Sequence, residues 1–335
     1  MNIFIKSFNR PYYLERCLRS VYMHLQGFNE IYVLDDGTDR KYLDKIQNIF
    51  PEVKIRVSAL HYQKVTNIKR LVSEGIALPK KVILPLDFWF QEIVSNSKDF
   101  FLLLEDDMWF TADVNLAEVG VMMKEYKICI HKLFHFNNPK LNNGKKTVIK
   151  ENVKLVEPSL FTENERLFKM IFTEDTFKIR ALLIKLGIKL LEEEKVKYYT
   201  IYNVAGTVFS LDYYRYLWQG VSVIVNEDIQ LIRSLEYFNK YKPKYSYENV
   251  DVVKTSFSSS ATNMFLDIDF NVYDYNYLLN EAWMQDKFDS ASGLPDDIKK
   301  SVIKDILKNS KIKIEEWEKW RQRFKQQYQD VGHQV

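Results

Sequence analysis

Three consecutive acidic residues, Glu105, Asp106 and Asp107, directly follow an apolar run over residues 100–104. Such a run is typical of a buried strand, so the acids are expected where the strand leaves the core. Burying adjacent carboxylates is unfavourable unless cationic groups neutralise them. Proteins hold Mg²⁺ and Mn²⁺ with one or two carboxylates together with phosphate oxygens. The triplet therefore indicates either a metal–phosphate site or, more simply, an acidic turn.

Two further acidic pairs could take part in such chemistry. Asp35 and Asp36 follow the short apolar run 31–34, and Glu227 and Asp228 begin a segment with helical periodicity. A carboxylate fixed at a helix N-terminus can act as a general base. It can equally serve only as a favourable charge near the positive end of the helix dipole. Both interpretations remain open from the residues alone.

The elements that must position these acids alternate along the first sixty residues. A strand is predicted over 3–5, and Pro11 suits the first turn of the helix that follows. A strand over 31–34, a helical stripe over 42–50 and a third strand over 53–57 come next. This alternation predicts an α/β fold, in which ligands bind at the carboxyl ends of the strands.

Three other segments leave two interpretations open. His131 and His135 are spaced to share one face of a helix as metal ligands, but their apolar surroundings suit a strand equally. Residues 204–210 are small and apolar, which fits either a core strand or a segment beneath a substrate. Residues 137–146 are rich in turn formers and predict a surface loop, and residues 163–194 have a helical pattern.

Four motifs occur in order: 5–14 (IKSFNRPYYL), 33–39 (VLDDGTD), 103–107 (LLEDD) and 226–231 (NEDIQL). Together they resemble a GT-A glycosyltransferase. The first two are similar to family 2 enzymes, which have Tyr-Asn-Arg-Pro after the first strand and Asp-Asp-Gly-Ser later. The third is a Glu-Asp-Asp version of the DXD motif, as in N-acetylglucosaminyltransferase I relatives. The fourth resembles the Glu-Asp segment of inverting family 2 enzymes. Phe8 and Glu105 depart from the usual Tyr and Asp.

The resemblance, which covers roughly the first two-thirds of the chain, implies a GT-A fold. This fold is Rossmann-like, with a mixed central sheet flanked by helices, and here it would carry a helical C-terminal extension. The expected catalytic domain is 1–240, with a nucleotide-sugar half of about 1–110 and an acceptor half of about 111–240. Residues 241–335 would form the extension.

The expected extension contains a loop and two amphipathic helices. The serine-rich segment 256–263 is predicted to be either a mobile lid or a solvated loop. One helix is predicted over 296–307, and the next carries an aromatic stripe of Trp317, Trp320 and Phe324. Such a stripe packs on its own protein or contacts a membrane surface.

The resemblance also implies a role for each candidate residue. Asp107 would bind Mn²⁺ or Mg²⁺, and Glu105 would face the ribose or the metal through water. Asp36, or Asp35 in its place, would contact the nucleobase or ribose. Asp228, or less favourably Glu227, would be the general base of an inverting transfer. The remaining expected nucleotide-sugar contacts are Ser7, Asn9, Arg10 and Asp106.

The implied activity is metal-dependent transfer of a hexosyl or N-acetylhexosaminyl group. The donor would be a nucleoside diphosphate sugar, most simply a UDP-sugar, and the acceptor a glycan or lipid-linked glycan. Three alternatives remain: a nucleotidyltransferase, a retaining glycosyltransferase and an inactive glycan-binding module. A nucleotidyltransferase is disfavoured because residues 6–13 contain no glycine. Acidic residues are present in each motif where the resemblance expects them, which argues against an inactive module.

Composition narrows the class of protein further. A net charge of +3 gives no argument for nucleic acid as a partner. The two cysteines, Cys17 and Cys129, lie in apolar segments and are expected to be reduced core residues. No apolar run approaches the length of a membrane span. We therefore expect a cytoplasmic protein, with the last helix as the candidate for peripheral contact with the inner face of a membrane.

Overall fold

The computed structural model describes residues 1–74, 83–174, 190–221, 227–262, 265 and 267–335. It has a mixed α/β architecture, with a large central sheet flanked by helices and a helical C-terminal region. The strands are β1 Asn2–Ser7, β2 Leu25–Gln26, β3 Ile31–Asp35, β4 Lys54–Val57, β5 Phe100–Glu105, β6 Met108–Phe110, β7 Val114–Asn115, β8 Ile128–Lys132, β9 Gly144–Lys150, β10 Val153–Pro158, β11 Thr207–Ser210, β12 Lys244–Glu248 and β13 Val253–Thr255.

Helices connect most of these strands. The α-helices are α1 Pro11–His24, α2 Arg40–Ile49, α3 His61–Glu74, α4 Leu86–Ser95, α5 Leu116–Tyr126, α6 Glu165–Phe168, α7 Leu190–Lys197, α8 Leu211–Trp218, α9 Glu227–Tyr241, α10 Val272–Met284, α11 Lys300–Leu307 and α12 Ile314–Gln329. A π-helical turn, Lys169–Thr173, continues α6, and 3₁₀ turns occur at Pro139–Asn142 and Tyr198–Thr200. Of the helical pattern predicted over 163–194, residues 175–189 lie outside the described residues.

The central sheet has nine strands in the order β4-β3-β1-β5-β11-β8-β12-β10-β9. Strands β4, β3, β1 and β5 are parallel, whereas β11 runs antiparallel to both β5 and β8. The carboxyl ends of β1, β3 and β5 therefore lie side by side at one edge. The predicted mixed sheet flanked by helices is confirmed.

Alternation along the parallel strands divides the core between the two faces of the sheet. Ile3 and Ile5 of β1 pack into one cluster, with the inner faces of α1 and α10, while Phe4 packs into the other. Because successive side chains of a strand point to opposite faces, β1, β3 and β5 each contribute to both clusters. Both faces of β3 are buried, since all five of its residues are buried.

The division predicted near residue 240 does not coincide with a structural boundary. Strand β12, which follows it, lies inside the sheet between β8 and β10. Helix α10 packs against α1, α2 and α3 at the other end of the chain. The C-terminal segment is therefore built into the sheet and onto the N-terminal helices.

The serine-rich segment is packed over residues 256–260, so its interpretation as a solvated loop is wrong. Ser256, Ser258 and Ser259 are buried. The hydroxyls of Ser256 and Ser258 donate to Asp297 Oδ2 at 2.8 and 3.1 Å, and Ser259 donates to Asn276 at 2.6 Å. Asp297 precedes α11 instead of lying within it, because its carboxylate is held by these hydroxyls.

The segment 137–146 is also more ordered than the predicted surface loop. Asn138 and Asn142 are each only 1% exposed. Asn138 Nδ2 donates to the carbonyl of Val331 at 3.1 Å, so this turn anchors the C-terminal end of the chain. Turn-forming residues correctly indicated a break in regular structure, but the sequence could not show what would cover it.

The aromatic stripe of α12 packs on this chain. Trp317 and Trp320 are fully buried, and Phe324 is 9% exposed. The Trp320 ring lies 5.0 Å from the Phe270 ring, and Trp317 Nε1 donates to the carbonyl of Ser258 at 3.1 Å. The prediction of internal packing is confirmed, and these rings are not available to lipid. Among the described residues, no helix is long and apolar enough to cross a membrane.

We expect Trp320→Ala to lower the free energy of unfolding by about 3–5 kcal/mol, because it removes a large buried ring and leaves a cavity. Gln322→Ala is the matched control, since Gln322 lies on the exposed face of the same helix and its loss should cost within about 0.5 kcal/mol. Urea unfolding followed by circular dichroism measures both. Equal midpoints for the two variants would contradict the packing of this helix.

Candidate active site

The carboxyl ends of the parallel strands bring the predicted motifs together. Ser7 at the end of β1 is in register with Asp35 at the end of β3. On the other side of β1, Lys6 is in register with Glu105 at the end of β5. The chain then turns into α1, with Pro11 in its first turn as predicted. Strand order thus makes neighbours of motifs that are far apart in sequence.

Asn9 shapes the turn between β1 and α1. Its φ of 53° is left-handed, a conformation that Asn tolerates better than most residues. Its N–H donates to Thr38 Oγ1 at 2.8 Å, and Asn280 Nδ2 donates to its carbonyl and to its amide oxygen at 3.2 and 3.1 Å. Asn9 does not line the cavity described below. These bonds make Asn9 a support for the turn, and its Nδ2 is buried without a hydrogen-bond partner among the described residues, so its contact with a nucleotide sugar stays a prediction.

Arg10 forms a bridge between two of the three acids. Its Nη1 lies 2.6 Å from Asp107 Oδ2, and its Nη2 donates to Asp106 Oδ1. The backbone N–H of Phe8 donates to the other oxygen of Asp106 at 3.0 Å. Arg10 and Asp106 are both almost fully buried. Asp106 is therefore fully engaged within the protein, and the guanidinium supplies the charge that the sequence assigned to a metal alone.

Burial makes this edge unfavourable for further negative charge. It raises the pKa of Asp106 to about 7, although the Arg10 guanidinium opposes the shift. Burial likewise raises the pKa of Glu105, and here the positive charge of Lys6 opposes it. The carboxyls of Glu105 and Asp106 therefore favour a neighbouring cation or the uptake of protons.

Asp107, the metal ligand expected from the sequence, is not among the residues that line the cavity described below. In the described part of the chain, no group of three or more His, Cys, Asp or Glu side chains could hold a metal ion. However, Asp107 Oδ1, the oxygen that Arg10 leaves free, is buried and has no hydrogen-bond partner. One such carboxylate oxygen suits Mg²⁺ or Mn²⁺, which take most of their ligands from phosphates and water.

Asp35 and Asp36 have different tasks. Asp35 accepts hydrogen bonds from the N–H groups of Gly37 and Thr38 at 3.0 and 2.8 Å and from Thr38 Oγ1 at 2.6 Å, so it closes the turn after β3. Asp36 lines the cavity, where Ser58 and Lys64 donate to its two oxygens. Burial raises the pKa of Asp36. Asp36 is thus the one of the pair that can contact a ligand.

A cavity of about 210 Å³ opens at this edge of the sheet. Its lining joins residues from all four motifs and from the segment after β13. Those that the sequence singled out are Ser7, Arg10, Asp36, Glu105, Asp106 and Glu227. The other lining residues are Lys6, Phe8, Leu84, Trp89, Tyr202, Val204, Trp218, Ala261 and Thr262.

Several of these residues carried no usable signal in the sequence. Trp89 and Trp218 lie on amphipathic helices, where an aromatic residue is ordinarily a core residue, and Tyr202 follows a 3₁₀ turn. Lys6 was detectable, because it directly follows the apolar run 3–5 of a predicted central strand, where a lysine is unusual. Its position next to the first motif could have marked it as a candidate.

The structure separates Glu227 from Asp228. Both lie in the first turn of α9. Glu227 lines the cavity and accepts a hydrogen bond from the Tyr199 hydroxyl. Asp228 instead pairs with Lys195, with 2.5 Å between Nζ and Oδ1, and is not among the lining residues. The sequence favoured Asp228 as the base, whereas the geometry places Glu227 beside the cavity.

Gly206 lets β11 pass close to the neighbouring turn. Its φ is +64°, and an added Cβ would lie 2.7 Å from Phe134 Cβ. Its N–H donates to the carbonyl of Leu103 at 2.8 Å. Val204, just before it, lines the cavity. The segment leads into a central strand, as one interpretation predicted, and Val204 forms part of the cavity wall, while its position beneath a substrate stays a prediction.

His131 and His135 do not reach this edge. His131 belongs to β8, where its ring nitrogens lie 2.9 Å from Ser246 Oγ and 3.1 Å from Glu248 Oε1. His135 Nε2 lies 2.8 Å from the carbonyl of Glu248, and burial lowers the pKa of His135 to about 4. The strand interpretation is correct for His131, whereas His135 lies after the end of β8, and neither ring is among the residues that line the cavity.

The C-terminal end of α12 lies close enough to the acidic residues of the site to feel their charge. Burial raises the pKa of Tyr328 to about 12, and the negative charges of Glu105, Asp107 and Glu227 add to the shift. The Tyr328 ring packs against Phe257 and Phe136, at centroid distances of 5.1 and 5.2 Å. The C-terminal helix thus contributes to the surroundings of the site.

Comparisons with known proteins give distant likenesses. No protein-family model and no curated protein matches this chain. Among solved structures it is similar to S. aureus TarS 1–349 in complex with UDP-GlcNAc, at 13% identity and a TM-score of 0.40, over 97% of this chain and 80% of that one. It is also similar to glucosyl-3-phosphoglycerate synthase from Mycobacterium tuberculosis, at 12% identity and a TM-score of 0.33, over 85% and 79% of the two chains. Likenesses this distant do not assign an activity.

Removing the Arg10 charge should destabilise the protein in a pH-dependent way. Arg10→Met leaves two buried carboxylates without their cation, which costs about 3–5 kcal/mol at pH 8. The pKa of Asp106 in the folded state already exceeds its usual value, and it rises further without Arg10. The carboxyl is therefore tolerated when protonated, and the stability deficit should shrink as the pH falls from 8 towards 4.

Urea unfolding at pH 5 and pH 8 checks this expectation. Arg40→Met is the control, because Arg40 forms an exposed ion pair with Asp44 and its loss should have little effect at either pH. A deficit of Arg10→Met that does not change with pH would mean that the lost packing, and not the buried charge, is responsible.

Proposed function

We propose that this protein is a metal-dependent glycosyltransferase that uses a nucleoside diphosphate sugar. One observation carries the proposal: Asp36, Glu105 and Glu227, from three separate motifs, line the same cavity at the carboxyl edge of the parallel strands. Ligands of α/β sheets bind at this edge. Acidic groups at both ends of such a cavity suit glycosyl transfer from a nucleoside diphosphate sugar. This reaction needs groups that recognise the nucleotide, a metal ion and a general base.

The nucleotide would occupy the end of the cavity next to β3. The Asp36 carboxylate can accept hydrogen bonds from a base or ribose, and the Phe8 ring offers an apolar face beside it. Ser7 Oγ is buried without a hydrogen-bond partner, so a ligand could satisfy it. A UDP-sugar is the simplest donor of this class.

The diphosphate would lie near Asp107, whose free Oδ1 would hold Mn²⁺ or Mg²⁺. When bound, the ion stabilises the negative charge that develops on the leaving diphosphate. Arg10 keeps the Asp107 carboxylate in place through its other oxygen. Glu105, at the end of β5, would face the ribose or a metal-bound water.

Glu227 is our candidate for the general base of an inverting transfer. It lies on the cavity wall, and the Tyr199 hydroxyl fixes one of its oxygens. Burial and the Glu227 charge raise the pKa of Tyr199, so that this hydroxyl remains a donor. The other oxygen of Glu227 would take the proton from the acceptor hydroxyl. Asp228 is the alternative base, and it would first have to leave Lys195.

The sugar would lie between aromatic side chains. Trp89, Trp218 and Tyr202 line the cavity, and aromatic rings pack well on the apolar faces of sugars. The acceptor we propose is a glycan or a lipid-linked glycan, in polysaccharide biosynthesis on the cytoplasmic side of a membrane. Any membrane contact would have to use surfaces other than the buried stripe of α12.

Asp107→Asn should abolish metal-dependent turnover of the donor, because the amide retains the shape but not the charge that the ion needs. We expect Mn²⁺ to strengthen UDP binding in the wild type and not in the variant, as measured by calorimetry. Asp113→Asn is the control, because Asp113 is 81% exposed and pairs only with His24 among the described residues. Full activity of Asp107→Asn at every metal concentration would exclude Asp107 as the ligand.

Glu227→Gln and Asp228→Asn test the two candidate bases side by side. Loss of a general base lowers turnover by roughly 10²-fold or more, while donor affinity stays nearly unchanged. We expect this result for Glu227→Gln and a smaller loss for Asp228→Asn. The opposite order would restore the sequence-based choice of Asp228. With a UDP-α-sugar the product should be β-linked by NMR, and an α-linkage would indicate a retaining enzyme.

A further inference from the structure

Lys6 occupies an unusual position in the sheet. It lies in β1 between Ile5 and Ser7 and is in register with Glu105 of β5. Its side chain is half-buried and lines the cavity, with Nζ 4.9 Å from the centre of the Trp89 ring. A lysine in a central strand is expected to have a reason, because burying its charge is costly.

The other cations at this edge already have partners. Arg10 is held by Asp106 and Asp107, and Lys64 donates to Asp36 and to the carbonyl of Ile83. Lys6 Nζ has no ion pair and no hydrogen bond with a described residue. It lies over the face of the Trp89 ring, in a cation–π contact. Among the described residues that line the cavity, Lys6 is therefore the cationic side chain that forms no ion pair with a carboxylate.

Two unsatisfied polar atoms belong to residues beside Lys6 in the cavity lining. Trp89 Nε1 is buried and has no hydrogen-bond partner, and neither has Ser7 Oγ. An unpaired buried donor costs about 1–3 kcal/mol. Lys6, Trp89 and Ser7 are three residues with unused donors around one cavity, which is the arrangement expected where a ligand supplies the acceptors.

Burial disfavours the charged form of Lys6 unless a negative group accompanies it. It lowers the pKa of Lys6, and the negative charge of Glu105 opposes that shift. An anionic oxygen in the cavity would stabilise the charged form of Lys6 and accept hydrogen bonds from its ammonium group.

We propose that Lys6 binds an anionic oxygen of the substrate. The identity of the ligand rests on the proposed function: the oxygen belongs either to the donor diphosphate or to an acidic group on the transferred sugar. A lysine ammonium binds phosphate as a point charge, so its contribution does not require the metal. Lys6 would therefore retain part of the donor affinity when the divalent ion is removed.

The test compares wild type with Lys6→Met, which removes the charge but keeps an apolar side chain over Trp89. Lys6→Arg should restore the charge. Lys98→Met is the matched control, because Lys98 is exposed and precedes β5 at the opposite edge of the sheet. Calorimetry with inorganic pyrophosphate, UDP and uridine is carried out in EDTA, and thermal melts confirm that each variant is folded.

If Lys6 contacts the diphosphate, Lys6→Met should weaken UDP and pyrophosphate at least tenfold and leave uridine unchanged, with Lys6→Arg close to wild type. If Lys6 contacts the sugar, UDP should bind both proteins equally. Wild type should then prefer UDP-glucuronate over UDP-glucose at least tenfold, and Lys6→Met should lose that preference. Either result supports the inference and identifies the source of the anion.

Equal affinity of wild type and Lys6→Met for all five ligands would overturn the inference, as would a failure of wild type to bind any of them. The proposed function can fail separately. If wild type binds pyrophosphate in a Lys6-dependent way but binds no uridine compound, the anion site stands and the nucleotide-sugar assignment falls.

Discussion

The bridge from Arg10 to Asp106 and Asp107 is the interaction on which the site depends. Two adjacent carboxylates at the end of a buried strand are tolerated only with a cation in place, and the arginine fork satisfies both at once. The bridge also fixes the turn that follows β1 against the end of β5. The other oxygen of Asp107 is buried without a hydrogen-bond partner among the described residues, and an ion could bind there.

The C-terminal segment holds this turn in position from behind. Helix α1 presents Glu15 to the Trp283 indole of α10, and Arg16 donates to the carbonyls of Ser290 and Ser292 at 2.7 and 3.2 Å. The Arg16 guanidinium also lies 4.5 Å from the ring of Trp109, directly after the acidic motif. The last part of the chain therefore supports the first, which explains why a boundary near residue 240 has no counterpart in the sheet.

Charge is distributed unevenly around the cavity. Near β3 and β5, the acids Asp36, Asp106 and Asp107 each have a cationic partner within the protein. Lys6 and Glu105 also line the cavity, where Lys6 lies over the Trp89 ring, but neither forms an ion pair with a described residue. A paired region keeps its geometry before a ligand arrives, whereas an unpaired region can respond to the ligand's own charge.

The sequence by itself determined the local features. Apolar runs ending in acids predicted β3 and β5, Pro11 marked the start of α1, and helical spacing predicted the stripe of α12. These depend on residues close in the chain. Only the tertiary structure could show the features that depend on distant partners. These are the ion pairs of Arg10 with the acidic motif and the hydrogen bonds of Asn9 in its turn. The position of Glu227, rather than Asp228, on the cavity wall is another such feature. Hydrogen bonds and ion pairs between strands and helices far apart in sequence set these orientations, and no local pattern encodes which partner a side chain will meet.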